Sequence, residues 1–211
     1  LAREEGFEPI ALTVDYGQRH RVELEAARRV ACAQGVRDHR LVAVDLRALG
    51  GSALTDDLPV PAGRSEEDLG KSSEIPISYV PARNTILLGL ALELAEVTGA
   101  SDIFIGVNAV DYSGYPDCRP QFLDAFQVLA RVATRAGVQG QPLRIRAPLL
   151  FRSKAEIARE AVRLGVDLAL THTCYDPDEQ GRACSRCEAC QLRARGFAAA
   201  GLPDPTVYSP R

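Results

Sequence analysis

Short apolar runs alternate with segments of helical spacing from one end of this chain to the other, and that alternation restricts the fold more than any other feature. PIALTVDYG, HRLVAVDL, SDIFIGVNA and LRIRAPLL are brief, aliphatic and β-branched, the pattern of buried strands. Between them the spacing predicts helices over 19–34, from Pro81 to just before Gly99, over 119–136 and over 151–165. In the second helix Pro81 suits the first turn, and Ile86, Leu87, Leu90, Ala91 and Leu94 are expected on the buried face. In the last, Ser153-Lys154-Ala155-Glu156 reads as a capping box and Gly165 as the stop. Buried strands separated by helices pair in parallel, so the expectation is one α/β domain over 1–211 with a mostly parallel sheet and helices on both faces. No repeat and no second boundary interrupts it.

In such folds ligands gather at the carboxyl ends of the strands. The segments that fall there are VDYGQRH, the loop after Leu46, GVNAVDYSGYPDCRP and APLLFRSK, the polar and Gly-rich parts of the chain. Two cations stand out. Arg83, followed by Asn84, opens an apolar helix, and Lys154 sits in the first turn of another. A positive charge there opposes the helix dipole, which points to a phosphate or nucleotide; the plainer reading of Lys154 is a solvated surface lysine. From Asn108 to Arg119 lie Asn108, Asp111, Tyr112, Ser113, Tyr115, Asp117 and Arg119. Their amide, carboxylate and hydroxyl groups suit a purine-like edge, Arg119 suits a carboxylate, and Tyr112 or Tyr115 suits stacking on a flat ring. The competing reading is a structured turn with caps. Residues 50–78, which include GRSEEDLGKSS, carry no apolar period and read as a lid or as disorder.

Near the C-terminus Cys174, Cys184, Cys187 and Cys190 form C-x9-C-x2-C-x2-C. Two-residue gaps let neighbouring thiolates converge on one ion, and four of them complete a tetrahedral Zn²⁺ shell with no open position. That makes the segment 171–211 a structural zinc element. Disulfides and an iron–sulfur cluster are the rival readings. The first suits secreted domains, and the second has a further C-x3-C-P arm in ferredoxins that this segment lacks. Cys32 reads as a small helical core residue, and Cys118, in a polar loop, as either a free thiol or a nucleophile without a neighbouring His in sequence.

The remaining totals exclude more than they assign. A net charge of −3 gives no electrostatic pull toward nucleic acid or an anionic membrane, and the apolar stretches are too short to span a bilayer. With no charged-then-apolar leader in view, a cytoplasmic location is expected. The opening LAREEGFEPI reads as the end of a helix stopped at Gly6, and no methionine occurs anywhere. The expectation is that the true beginning lies upstream of Leu1.

Together VDYGQRH, YVPARNTILLGLALELAE, DIFIGVNAVDYSGYPDCRPQF, SKAEIAREAVRLGVD and the terminal CYDP…ACSRCEACQLRARGF resemble the 7-cyano-7-deazaguanine synthases. These form a family within the ATP-pyrophosphatases, and the match runs in order over essentially the whole chain. The resemblance implies a Rossmann-like, adenine nucleotide alpha hydrolase-like fold. It also implies an ATP-dependent ligase acting on 7-carboxy-7-deazaguanine and ammonia in queuosine precursor biosynthesis, with Mg²⁺ accompanying ATP, no nucleic-acid partner and a homodimer. On this chain it implies adenosine at Asp15, Tyr16 and Gly17, with ATP also met by Arg83, Asn84 and Lys154. Catalytic roles fall to Lys154 and Arg83, and substrate to Asn108, Asp111, Tyr112, Tyr115, Asp117 and Arg119. The family's first strand and SGGxDS phosphate loop have no counterpart in these residues, so that loop too is expected upstream of Leu1. Other ATP-pyrophosphatases acting on tRNA would favour a basic surface. A zinc-bearing nucleic-acid module would leave the α/β body unexplained.

Overall fold

A computed structural model of the chain describes residues 1–19, 21–60, 75–141 and 143–210, with the Tyr112 and Ser113 side chains left aside. In chain order its elements are β1 (Ile10–Asp15), α1 (Val22–Ala33), β2 (Asp38–Ala43), α2 (Arg83–Thr98), β3 (Asp102–Phe104), α3 (Ala109–Gly114), α4 (Pro120–Ala133), α5 (Arg135–Val138), β4 (Arg144–Arg146), α6 (Lys154–Arg163) and α7 (Glu188–Ala200). Single 3-10 turns lie at Pro116–Cys118 and Leu168–Leu170. The chain forms two compact units, one of Leu1–Ser72, Ile77–Val80 and Ser153–Arg211, the other of Ser73–Pro76 and Pro81–Arg152.

In the first unit β1 and β2 pair in parallel, from Ile10 opposite Asp38 to Asp15 opposite Ala43, with α1 as the crossover. The expected buried character of β2 is not met: Leu41 is 62% exposed, and Arg40 pairs with Asp38 at the surface at 2.9 Å. Among the described residues β2 pairs with β1 on one edge only, and its Arg40, Leu41 and Ala43 are exposed, as on an edge strand. The loop after β2 also differs from expectation. Ser52, Ala53, Leu54 and Thr55 are buried, and the Ala53 amide and Ser52 hydroxyl both donate to the Ile77 carbonyl, at 2.9 and 3.3 Å. Leu54 supplies the burial that a period count over a Gly-rich loop misses. Of the two expectations for 50–78, a lid or disorder, the packing of 52–55 speaks against disorder at those residues, and the 61–74 part lies outside the described residues.

In the second unit β3 and β4 pair in parallel, Asp102 opposite Arg144 and Phe104 opposite Arg146. Leu88, Leu92, Ala95, Ile103, Leu123, Phe126, Ala130 and Leu143 form its core. Both strands are shorter than their apolar runs, because Asn108 diverts the chain into α3 and Ala147-Pro148 turns it after β4, with Leu150 N–H bonding Ala147 O at 3.1 Å. The buried face of α2 is also not the one expected: Asn84, Leu88, Leu92 and Ala95 point inward, while Ile86, Leu87, Leu90, Ala91 and Leu94 are half-buried. That helix is apolar nearly all round, so its spacing does not choose a face. The helix expected over 119–136 breaks at Thr134, whose extended backbone lets its hydroxyl accept from Gly137 N–H at 3.0 Å and start α5.

The expected glycine stops after the helices over 19–34, from Pro81 and over 151–165 are met, while the first two helices start later, at Val22 and Arg83, and Gly201 is a stop outside those expectations. Helices α1, α2, α6 and α7 stop at Gly35, Gly99, Gly165 and Gly201, all left-handed, with the next amide reaching back five residues at 2.9–3.1 Å. This is the Schellman closure, which glycine makes without strain. At the start of α6 the capping box forms, with Ser153 Oγ accepting from Glu156 N–H and Glu156 Oε2 accepting from Ser153 N–H.

Candidate functional site

The four cysteines converge. The Sγ atoms of Cys174, Cys184, Cys187 and Cys190 all lie within 4.8 Å of one another and all four residues are buried. The nine-residue gap closes through a turn in which Asp178 accepts from the Arg182 amide at 2.8 Å and from its guanidinium at 2.7 Å, returning Cys184 to Cys174. Between Cys184 and Cys187 the backbone passes through Ser185 at φ +60°, a left-handed corner that the spacing does not announce. Amides face the sulfurs: Cys184 and Asp176 N–H donate to Cys174 Sγ at 3.2 and 3.3 Å, and Arg186 and Cys187 N–H to Cys184 Sγ at 3.4 and 3.3 Å. Such donors stabilise thiolate charge. Within the cluster, hydrogen bonds from Cys174 and Cys190 hold the Cys187 thiol well below its usual range; Cys174 and Cys187 together hold Cys190 up, and the Cys187 contact with burial outweighs Cys190 to hold Cys174 up. Tetrahedral zinc with bonds of about 2.3 Å spaces its sulfurs about 3.8 Å apart, which this cluster accommodates. The site fits a divalent metal that prefers sulfur, with every ligand supplied by the protein.

The C-terminal tail closes over this element. Ala183 N–H bonds Val207 O, and Ser209 N–H bonds Ala183 O, both at 2.9 Å. Asp204 accepts from Thr206 Oγ at 2.7 Å, Tyr208 OH at 2.8 Å and Arg193 Nε at 3.0 Å. Burial alone would raise the Asp204 carboxyl, but these donors outweigh it and hold it below the usual carboxylate range. The Arg193 guanidinium also lies 4.8 Å over the Phe197 ring. Neither Arg193 nor Asp204 is among the residues singled out from sequence; nothing in their spacing marks them.

The metal element reaches Lys154 through helix packing. Cys187 caps α7 and Cys190 lies in its first turn, and α7 packs along α6. Gly196 is the point of closest approach, where an added Cβ would stand 2.7 Å from Lys154 Cβ. Arg159 of α6 donates to the Ala200 carbonyl at 3.2 Å. Lys154 is half-buried at the first position of α6, directly after Ser153.

At the carboxyl end of β1, Asp15 Oδ1 accepts from Gly17 N–H at 3.1 Å and Oδ2 from Arg21 at 2.6 Å. Gly17 turns the chain at φ +80°. Tyr16 is buried, and its amide donates to Oε1 of Gln18, itself 2% exposed. The sequence marks this stretch as a polar turn; the structure makes two of its residues core.

In the second unit the expected residues cluster in one corner. Asn84 is its centre: its amide N–H donates to Asp117 Oδ2 at 2.9 Å, and its side-chain Nδ2 to Asp117 O at 2.9 Å and Cys118 Sγ at 3.1 Å. Arg83, next in chain, starts α2 after Ala82, which adopts a left-handed φ of +52°. Asn108 and Asp111 bond each other as a capping box for α3, which the N-x-x-D spacing makes possible. Tyr115 packs against the core, and Arg119 precedes Pro120 at the start of α4. The structured-turn reading of 108–119 thus holds for its backbone. Burial, with Asp117 and Asp111 adding to it, pushes the Cys118 thiol up to about 12, so a thiolate nucleophile at this position is disfavoured.

Comparison with known proteins agrees with these motifs. The family model described as queuosine biosynthesis protein QueC matches residues 1–201. The 7-cyano-7-deazaguanine synthase of Myxococcus xanthus is 59% identical over 209 residues, 99% of this chain and 90% of its own length. Those of Xanthomonas oryzae pv. oryzae and Xanthomonas axonopodis pv. citri are 64% and 63% identical over the same shares. Parallel α/β pairing, a four-cysteine element and agreement along nearly the full length of these relatives place the chain in the QueC family of queuosine biosynthesis proteins.

Proposed function

We propose that this chain is a 7-cyano-7-deazaguanine synthase, joining ammonia to 7-carboxy-7-deazaguanine at the expense of ATP. The observation that carries the reading is 59–64% identity over 99% of the chain to proteins of that name. The chemistry balances in two activations. The carboxylate oxygen attacks the α-phosphorus of one ATP and pyrophosphate leaves. Ammonia then adds to the acyl carbon and AMP departs with one oxygen. The amide oxygen attacks the α-phosphorus of a second ATP and a second pyrophosphate leaves; departure of AMP with that oxygen and loss of both N–H protons leaves the nitrile. Each activation turns a poor leaving group, an oxide or hydroxide, into a good one.

In this reading Asp15, Tyr16 and Gly17 bound the adenosine end, with Gly17 letting the backbone turn close to it. Arg83 and Lys154 meet the phosphates that Mg²⁺ accompanies, each a cation at the first position of a helix, where its charge opposes the dipole. The corner holding Asn108, Asp111, Tyr112, Tyr115, Asp117 and Arg119 receives the deazapurine. Asn84 serves it by fixing Asp117. The four cysteines hold zinc, which supplies no open coordination position and therefore acts on folding. A cytoplasmic homodimer is part of the same reading. Among the described residues no helix is long and apolar enough to cross a membrane.

The test is to supply the full-length protein with 7-carboxy-7-deazaguanine, ammonia and Mg-ATP and to follow products by mass spectrometry. Two AMP per nitrile formed supports the proposal; AMP without nitrile, or no turnover, overturns it.

A further inference from the structure

Asn84 grips the turn at Pro116–Cys118 with both its backbone and its side chain, more than the start of a helix needs. One of these bonds has a structural use. Ala82, the residue before α2, makes no side-chain cap, so Oδ2 of Asp117 accepts the Asn84 N–H and caps the helix from 33 residues away. One carboxylate oxygen is enough for that. Asp117 is nevertheless only 6% exposed, and among the described residues its Oδ1 receives no hydrogen bond. Besides burial, which acts most, Asp117 and Asp111 raise the Cys118 thiol and Arg83 lowers it, so two carboxylates and a cation share this corner. A buried carboxylate oxygen without a donor is costly, and the donor that satisfies it comes from what binds there.

We propose that Asp117 sets specificity for the 2-amino group of the deazapurine: its Oδ1 accepts an N–H of that group while the Asn84 N–H holds its Oδ2. The inference rests on the proposed function and names what one residue of that substrate corner reads. The 2-amino group lies at the end of the bicycle away from the 7-carboxylate. Asp117 repels phosphates and the substrate's own carboxylate, so the end it meets is the one that carries donors. The other ring amino group in the reaction, on the adenine of ATP, belongs in the same reading to Asp15, Tyr16 and Gly17 of the first unit. Asn84 fixes which oxygen does what. Its buried N–H must have an acceptor, so the atom that faces it is always an oxygen. In Asp117→Asn the one side-chain oxygen has to take that N–H, and Nδ2 then stands where Oδ1 stood. An acceptor becomes a donor with no change of shape, and the preferred group at C2 changes from amino to oxo.

The measurement is competition in one vessel. Full-length protein with ammonia and Mg-ATP receives equal amounts of 7-carboxy-7-deazaguanine, its 2-deamino analogue and its 2-oxo analogue, and the nitriles are distinguished by mass. Early product ratios report relative kcat/KM and do not depend on how much of a variant is folded. Wild type is expected to favour the 2-amino acid about a hundredfold over the other two. Asp117→Asn is expected to abolish that preference and to favour the 2-oxo acid. Asp117→Ser offers the Asn84 N–H an acceptor and the ligand nothing, so it is expected to lose the 2-amino preference without gaining the 2-oxo one. A 2-amino preference unchanged in both variants, or absent from the wild type, overturns the assignment and leaves the synthase reading standing. No nitrile from any of the three acids overturns both. Because each variant keeps an acceptor for α2, loss of the fold in both, seen by circular dichroism, would make the carboxylate structural and overturn the assignment as well.

Discussion

Gly17 shows how a single position ties the turn after β1 to its chemistry. Its φ of +80° is open to glycine and costly for other residues, and an added Cβ would also stand 2.9 Å from Arg47 Cγ. The side-chain contact yields easily, so backbone strain dominates. Gly17→Ala is expected to cost about 1–2 kcal/mol in denaturant unfolding and to raise the KM for ATP more than it lowers kcat. Cys118 makes a different prediction. Its thiol is held up near 12, chiefly by burial, against an ordinary value near 9. The folded state therefore binds more protons than the unfolded state between those values, and stability is full below pH 9 and lost as pH rises toward 12. The slope is at most about 1.4 kcal/mol per pH unit. Cys118→Ala should flatten the difference curve in that window, and an unchanged curve would place the thiol in solvent. Both residues were visible in the sequence as polar-loop members, yet only burial and φ separate a core thiol and a strained turn from plain surface.

At the scale of elements, the tail after α7 is held by a buried ion pair together with backbone bonds to Ala183 and the packing of Tyr208 on the cysteine cluster. Arg193 and Asp204 side chains are 9% and 13% exposed, and Asp204 gathers three side-chain donors. Arg193→Ala leaves that carboxylate buried without its cation, so a loss of about 3–5 kcal/mol in thermal or denaturant unfolding is expected. Because the Asp204 carboxyl is depressed in the folded state, its contribution is present above the usual carboxylate range and is lost as pH falls through the lowered value. Asp204→Asn should remove that acid sensitivity. Helix termini were legible beforehand: glycine stops and the Ser153–Glu156 box are local chemistry, set by residues within one turn of each other. The inward face of α2, the break at Thr134 and the burial of 52–55 were not, since each depends on what another element presents to it.

At the scale of the molecule, the metal element and Lys154 share one rigid path: Cys187 and Cys190 fix α7, and Gly196 sets α7 against Lys154. Cys187→Ser is expected to abolish bound zinc measured by mass spectrometry and to lower the melting temperature by ten degrees or more, roughly the loss of several kcal/mol, with activity falling as structure is lost. A metal-free protein with an unchanged melt and no activity would instead make the metal a participant in the reaction. Gly196→Ala should leave zinc bound while displacing Lys154, lowering kcat at full metal content. Four thiols at C-x9-C-x2-C-x2-C, strands separated by helices, and glycines at helix ends were enough to foresee a metal element, a parallel α/β body and the places where helices stop, because each rests on contacts between near neighbours in the chain. Which face of α2 turns inward, that Asn84 fixes Asp117, and that Arg193 holds the tail followed from long-range packing, where burial and hydrogen-bond partners come from residues far apart in sequence.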